Sequence, residues 1–162
     1  MINKEKVSVL FICLGNICRS PTAHGVFQHV VDCGGLGAQV EVDSAGTAAY
    51  HVGNGPDPRS VSAAKLRGYD LSTLRARQAV EADFQRFDYI LAMDHGNLEN
   101  LKDLCPESYE GHLGLFLDFA QNNSESEVPD PYYGGSDGFS RVLDLVEEAA
   151  EGLLADIRRE LN

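Results

Sequence analysis

Five residues separate Cys13 from Arg19 in the run Cys13-Leu14-Gly15-Asn16-Ile17-Cys18-Arg19-Ser20-Pro21, which follows directly on the apolar stretch Val7-Ser8-Val9-Leu10-Phe11-Ile12. That order puts a thiol at the end of a buried strand and a guanidinium at the start of a helix. Every residue from Leu14 to Arg19 carries a backbone N–H, so a tight loop can aim several donors at one oxyanion. The helix that follows adds its own unpaired amides and the positive end of its dipole. Arg19 offers a planar fork that matches two phosphate oxygens at once, which a lysine cannot do. A thiol in such a field is favoured as the thiolate. The combination suits attack of sulfur on phosphorus, with phosphate or another oxyanion held in the loop. Taken singly, the parts are ordinary: a cysteine after a strand is more often a small core residue, and Gly15-Asn16 is a common turn. Their order, with Ser20-Pro21 suited to a first helical turn, selects the phosphate-loop reading.

Alternating elements are expected to hold this loop. Val7 to Ile12 is continuous enough in hydrophobicity for a strand buried on both faces. A helix from about Ser20 carries Val26, Phe27, Val30 and Val31 on one side and stops at Gly34-Gly35. Gln39 to Asp43 alternates as a second strand. Asp57-Pro58 opens a helix that runs to about Gly68, with aspartate as cap and proline in the first turn. Tyr89 to Met93 reads as a third strand, Asn97 to Leu104 as a short helix, and Leu113 to Leu117 as a fourth strand. Phe139, Val142, Leu143, Val146, Ala149, Ala150, Leu153, Leu154 and Ile157 recur at helical steps, so a final helix docks one face on the sheet. The expected class is α/β: a small doubly wound fold with a parallel sheet, helices on both faces, and the phosphate-binding loop after strand 1. Ligands in such folds bind outside the carboxyl ends of the strands, which is where that loop sits.

Composition narrows the function. A chain of 162 residues is expected to form a single domain over 1–162. Its 25 acidic against 13 basic residues give a net charge of −12, which argues against nucleic acid as a partner. Positive charge must then be concentrated locally to hold a phosphorylated substrate, and Arg19 with the loop amides supplies it. The first apolar run is too short for a membrane span and lacks a following cleavage site, so no membrane association is expected. The four cysteines, at 13, 18, 33 and 105, show neither disulfide-scaffold density nor zinc spacing, which fits a reducing, cytoplasmic setting. The five histidines are scattered without ligand spacing, so neither a metal nor another cofactor is expected. A monomer is the expectation.

The signature from Cys13 to Pro21 resembles that of the low-molecular-weight protein tyrosine phosphatases. The likeness continues in order through Asp43-Ser44-Ala45-Gly46-Thr47, Gly55-Pro56-Asp57-Pro58-Arg59, Asp88-Tyr89-Ile90-Leu91-Ala92-Met93-Asp94 and Val128-Pro129-Asp130-Pro131-Tyr132-Tyr133-Gly134-Gly135. It implies a four-stranded parallel sheet and hydrolysis of phosphotyrosine in proteins through a phosphocysteine. Cys13 would be the nucleophile, and Leu14, Gly15, Asn16, Ile17, Cys18 and Arg19 would bind phosphate. Asp130 alone, between two prolines, reads as a turn aspartate; the resemblance makes it the general acid and base. Ser20 could cap its helix or donate to the Cys13 sulfur, and the resemblance implies both. It also implies that Asn16 and Ser44 hold the loop's shape, and that Cys13 and Cys18 form a reversible protective disulfide under peroxide. Tyr132 and Tyr133 would flank the substrate cleft and Tyr50 its opposite wall, with surface or core packing as the alternative for each. Asp94 and Arg77 match positions near the site. Leu74 departs from the pattern, since several relatives carry a loop-supporting histidine there.

Three other readings remain. Arsenate reductases on the same fold need two further cysteines in a segment corresponding to Val80–Ala92, and none lies between Cys33 and Cys105. Protein arginine phosphatases typically carry threonine at the position of Ile17. A non-catalytic phosphotyrosine-binding module would keep the loop but lose Cys13 or Asp130.

Overall fold

In this computed structural model, which describes residues 5–121, 125–131 and 136–161, β1 (Val7–Cys13) lies inside the sheet and divides the core. Its alternating side chains send Val7, Val9, Phe11 and Cys13 into one apolar cluster and Leu10 and Ile12 into the other. The sheet has four strands in the order β2-β1-β3-β4, all parallel, with β2 at Val40–Gly46, β3 at Tyr89–Ala92 and β4 at His112–Leu115. Burial on both faces is why β1 reads as an unbroken apolar run.

Helices cover both faces. α1 (Arg19–Cys33) and the long α5 (Ser136–Glu160) pack together on the Phe11 side, joined by α2 (Pro58–Leu66). Phe11 meets Phe27 of α1 edge-on at 5.7 Å and Phe116 at 4.8 Å between ring centroids. On the other face, α3 (Asp83–Arg86) and α4 (His95–Leu104) contribute Phe84 and Leu101 against Leu10, Ile12 and Ile90. Asp57 caps α2 by accepting from Arg59 N at 2.8 Å, and α1 ends before Gly34-Gly35, as the sequence predicts.

Several element boundaries differ from expectation, and one short helix is additional. β4 stops at Leu115, and Phe116–Phe119 coils into a 3₁₀ turn. Leu115 enters one apolar cluster while Phe116 and Leu117 both enter the other, which a strand's strict alternation cannot achieve. α4 begins at His95 because Asp94 caps it, accepting from Asn97 N at 2.7 Å. β2 runs on to Gly46, and the short α3 carries no periodic signal of its own. Among the described residues, no helix is long and apolar enough to cross a membrane.

Candidate active site

The loop from Leu14 to Cys18 leaves the carboxyl end of β1 and enters α1 at Arg19. Its carbonyls are tied down: Cys13 O accepts from Thr47 N at 2.9 Å, Leu14 O from Ala48 N at 3.0 Å, and Ile17 O from Asp57 N at 2.8 Å. The amides of Leu14, Gly15, Ile17 and Cys18 meet no acceptor among the described residues. Such a loop presents donors without partners, the arrangement an oxyanion satisfies. Asn16 makes the turn with φ 57°, the only positive φ outside glycine among the described residues. Close approach also dictates Gly46: a Cβ there would stand 2.7 Å from Leu14 O and 3.2 Å from Asn16 N.

Cys13 is buried at the loop's base. Its sulfur accepts from Asn16 N at 3.3 Å and lies 3.0 Å from Ser20 Oγ. The donor in that last contact follows from its neighbours. Arg77 N–H donates to Asn16 Oδ1 at 3.1 Å, so the other end of the amide, Nδ2, donates to Ser20 Oγ at 2.8 Å. The serine proton is then left for the sulfur. Ser20 does not cap α1, contrary to one of its two expected duties: Cys18 occupies the cap position without a side-chain bond, and the serine hydroxyl is spent on the loop.

Arg19 is 4% exposed, and its NH1 donates to Asp94 Oδ2 at 2.6 Å and to Val128 O at 3.1 Å. Its NH2 lies 3.9 Å from Asp130 Oδ2. Burial works against the arginine's charge, but Cys13, Asp94 and Asp130 outweigh it and raise its pKa. Asp94 thus joins two elements, with one oxygen on Arg19 and the other on the first turn of α4. Asp130 stands on a segment pinned by the Val128 N to Met93 O bond at 2.8 Å.

These groups share a cleft of about 200 Å³, floored by Cys13 and Arg19 and walled by Leu14, Ile17, Tyr50 and His51, with Asp130 at its edge. Tyr50 is 74% exposed, so it forms a wall rather than core. Cys18 lines the same cleft as a free thiol, and burial first, then nearby negative charge, pushes its pKa up to about 12. Tyr132 and Tyr133 lie outside the described residues.

Asn16 and Ser44 are both buried, yet they do not bond each other. Asn16 is taken up by Ser20 and Arg77, and the Ser44 hydroxyl by His24 Nδ1 at 3.0 Å. Leu74 packs on the apolar core, and the histidine that braces Ser44 comes from α1. Sequence reasoning missed His24, His51 and the Val128 carbonyl. His24 sits one turn after Ser20, which was the available signal; nothing local marks the other two. Among the described residues, no group of side chains is arranged to hold a metal ion.

Comparison with known proteins bears on this arrangement. The family model described as low molecular weight phosphotyrosine protein phosphatase matches residues 8–162. The Schizosaccharomyces pombe low molecular weight phosphotyrosine protein phosphatase is 47% identical over 154 residues, covering 94% of this chain and 98% of its own length. The Streptomyces coelicolor low molecular weight protein-tyrosine-phosphatase is 44% identical over 156 residues, or 94% of each chain. The crystal structure of a protein tyrosine phosphatase from Entamoeba histolytica, with Hepes in the active site, superimposes with a TM-score of 0.92 at 44% identity, covering 95% of this chain and 98% of that one. A Drosophila arginine phosphatase is also similar, at TM-score 0.87 and 31% identity over 93% of this chain and 97% of its own. With its model matched across the sheet, the loop and α5, and close relatives covered over nearly their full length, the chain belongs to the low molecular weight phosphotyrosine protein phosphatase family of hydrolases.

Proposed function

We propose that the protein hydrolyses phosphotyrosine in protein substrates, and small aryl phosphates, through a phosphocysteine on Cys13. The observation that carries this reading is the loop itself: carbonyls bound outward and unpartnered amides around a buried sulfur, with the Arg19 fork beside it. In the first step the sulfur forms a bond to phosphorus as the bond to the aryl oxygen breaks, and Asp130 gives that oxygen its proton. The amides and Arg19 bind the three equatorial oxygens and stabilise their charge while sulfur and leaving oxygen stand in line on either side of phosphorus. In the second step water attacks phosphorus, the Asp130 carboxylate takes its proton, and the Cys13 thiolate leaves with help from the Ser20 hydroxyl. Ile17, Leu14 and Tyr50 give the cleft apolar walls that suit an aromatic leaving group.

Cys18, in the same cleft, would trap oxidised Cys13 as a reversible disulfide, which spares it from further oxidation. Four free thiols suit a reducing compartment, and we place the protein in the cytoplasm as a monomer without metal or cofactor.

An assay on p-nitrophenyl phosphate in EDTA, run beside phosphoarginine, tests the reading. Activity on the aryl ester that is abolished in Cys13→Ser and sharply reduced in Asp130→Ala is expected. Phosphate release that persists in Cys13→Ser would refute the mechanism, and a preference for phosphoarginine would move the substrate to the P–N class.

A further inference from the structure

Arg77 lies outside the cleft, yet its side chain and its backbone serve different neighbours. The guanidinium is shared by two carboxylates. Nε and NH2 donate to Asp43 Oδ2 at 3.2 and 3.0 Å, while NH1 and NH2 donate to Asp83 Oδ2 and Oδ1 at 3.1 Å each. Both carboxylates are fixed in turn, Asp43 by Ser44 N at 2.8 Å and Asp83 by Val80 N at 2.9 Å. A planar fork held at two edges by two rigid acids cannot swing, and the backbone that bears it is held with it.

That backbone touches both sides of the site. Arg77 N donates to Asn16 Oδ1, and Arg77 O accepts from Gly46 N at 2.8 Å. Immediately before it, Ala76 N donates to Asn54 O and Ala76 O accepts from Gly53 N, each at 2.8 Å, so the same short segment also anchors the stretch after Tyr50 and His51. An asparagine at φ 57° keeps that sparsely populated conformation only where its surroundings fix it. Here the fixing bond comes from a group that can only donate. Because Arg77 N–H claims Oδ1, the Asn16 amide has one orientation, Ser20 receives Nδ2, and the serine proton is directed at sulfur.

We infer that Arg77 is a positioning residue: clamped between Asp43 and Asp83, it sets the orientation of Asn16, and through it the Ser20 hydrogen bond to Cys13, while tying the phosphate loop to the Tyr50–His51 wall. This deepens the proposed phosphatase reading and rests on it. Its consequence falls on the second chemical step, where the sulfur leaves as thiolate. Without the clamp the backbone at Arg77 is free to shift from Asn16, whose amide can then turn Oδ1 towards Ser20; the serine then donates to that oxygen instead of to sulfur, and the thiolate keeps only the Asn16 N–H.

Stopped-flow measurement with p-nitrophenyl phosphate separates the two steps in the parent, Arg77→Ala, Arg77→Lys and Asp83→Asn. Arg77→Ala is expected to slow phosphocysteine breakdown about tenfold relative to its formation, which is seen as a larger burst of nitrophenolate. Arg77→Lys, a point charge without a fork, should recover part of the loss, and Asp83→Asn should show roughly a threefold effect. If Arg77→Ala does not fold, Asp83→Asn decides. A variant whose two steps slow together, or only in proportion to its unfolded fraction, overturns the inference. Should the parent itself show no turnover, the phosphatase reading falls. The positioning claim is then judged by phosphate protection of Cys13 against iodoacetate, which Arg77→Ala must weaken about tenfold and which unchanged protection would contradict.

Discussion

Asp94 offers a severe test of how the arginine is aimed. Its Oδ2 holds Arg19 at 2.6 Å and its Oδ1 holds Asn97 N at 2.7 Å, so each oxygen faces a donor. Asparagine has one carbonyl oxygen, and its NH₂ would confront either the guanidinium or the helix amide, donor against donor. Asp94→Asn must therefore abandon one partner. Losing the charge-assisted bond to a nearly buried arginine costs about 2 kcal/mol, and losing the cap about 1 kcal/mol. Asp94→Ala gives up both, about 3 kcal/mol in urea unfolding. If the carboxylate also holds the Arg19 fork in the plane of the phosphoryl oxygens, the charge-assisted part disappears from the transition state as well. About 2 kcal/mol there is roughly thirtyfold in kcat on p-nitrophenyl phosphate. Steady-state kinetics and urea melts on the same preparations read both quantities. Asp94→Ala with the stability loss but a kcat within about threefold of the parent would refute the reasoning, because Arg19 would then aim itself.

Other outcomes follow from the same contacts. Ser20→Ala leaves Asn16 Nδ2 buried without an acceptor and should cost about 1–3 kcal/mol in urea unfolding, with slowed breakdown of the phosphocysteine. Cys18, with its pKa pushed up to about 12, stays protonated at pH 7–8, so mass spectrometry after brief iodoacetate treatment should find label on Cys13 and none on Cys18. Burial holds His24 below the ordinary imidazole range, with Asp43 opposing. The unfolded chain therefore binds that proton first as pH falls, so stability from His24 is whole above the ordinary range and lost progressively below it. Subtracting the His24→Gln curve of unfolding free energy against pH from that of the parent should isolate this acid-side loss, and parallel curves would contradict it.

Much of this was legible in the sequence because local chemistry dictated it. The run from Val7 to Arg19 announces a buried strand, a donor-rich turn and an arginine, and the structure places them in one cleft. The apolar rhythm from Phe139 to Ile157 likewise fixes α5. What escaped depended on distant partners. The expected cap at Ser20 fails because its hydroxyl accepts from Asn16 and donates to Cys13, of which only the second contact was foreseen. Phe116 and Leu117 look like strand until both are drawn to the same face of the core. His24 lies 20 positions from Ser44, and Arg77 lies 61 from Asn16, so no spacing rule connects either pair.

The central claim is a covalent one, that phosphorus passes through the Cys13 sulfur. Rapid acid quench of the enzyme turning over an aryl phosphate, followed by peptide mass spectrometry, tests it directly. The account predicts one added phosphoryl group on the peptide containing Cys13, formed fast enough to carry turnover and absent from Cys13→Ser. Turnover with no phosphorylated cysteine, or with the phosphoryl group on another side chain, would contradict it.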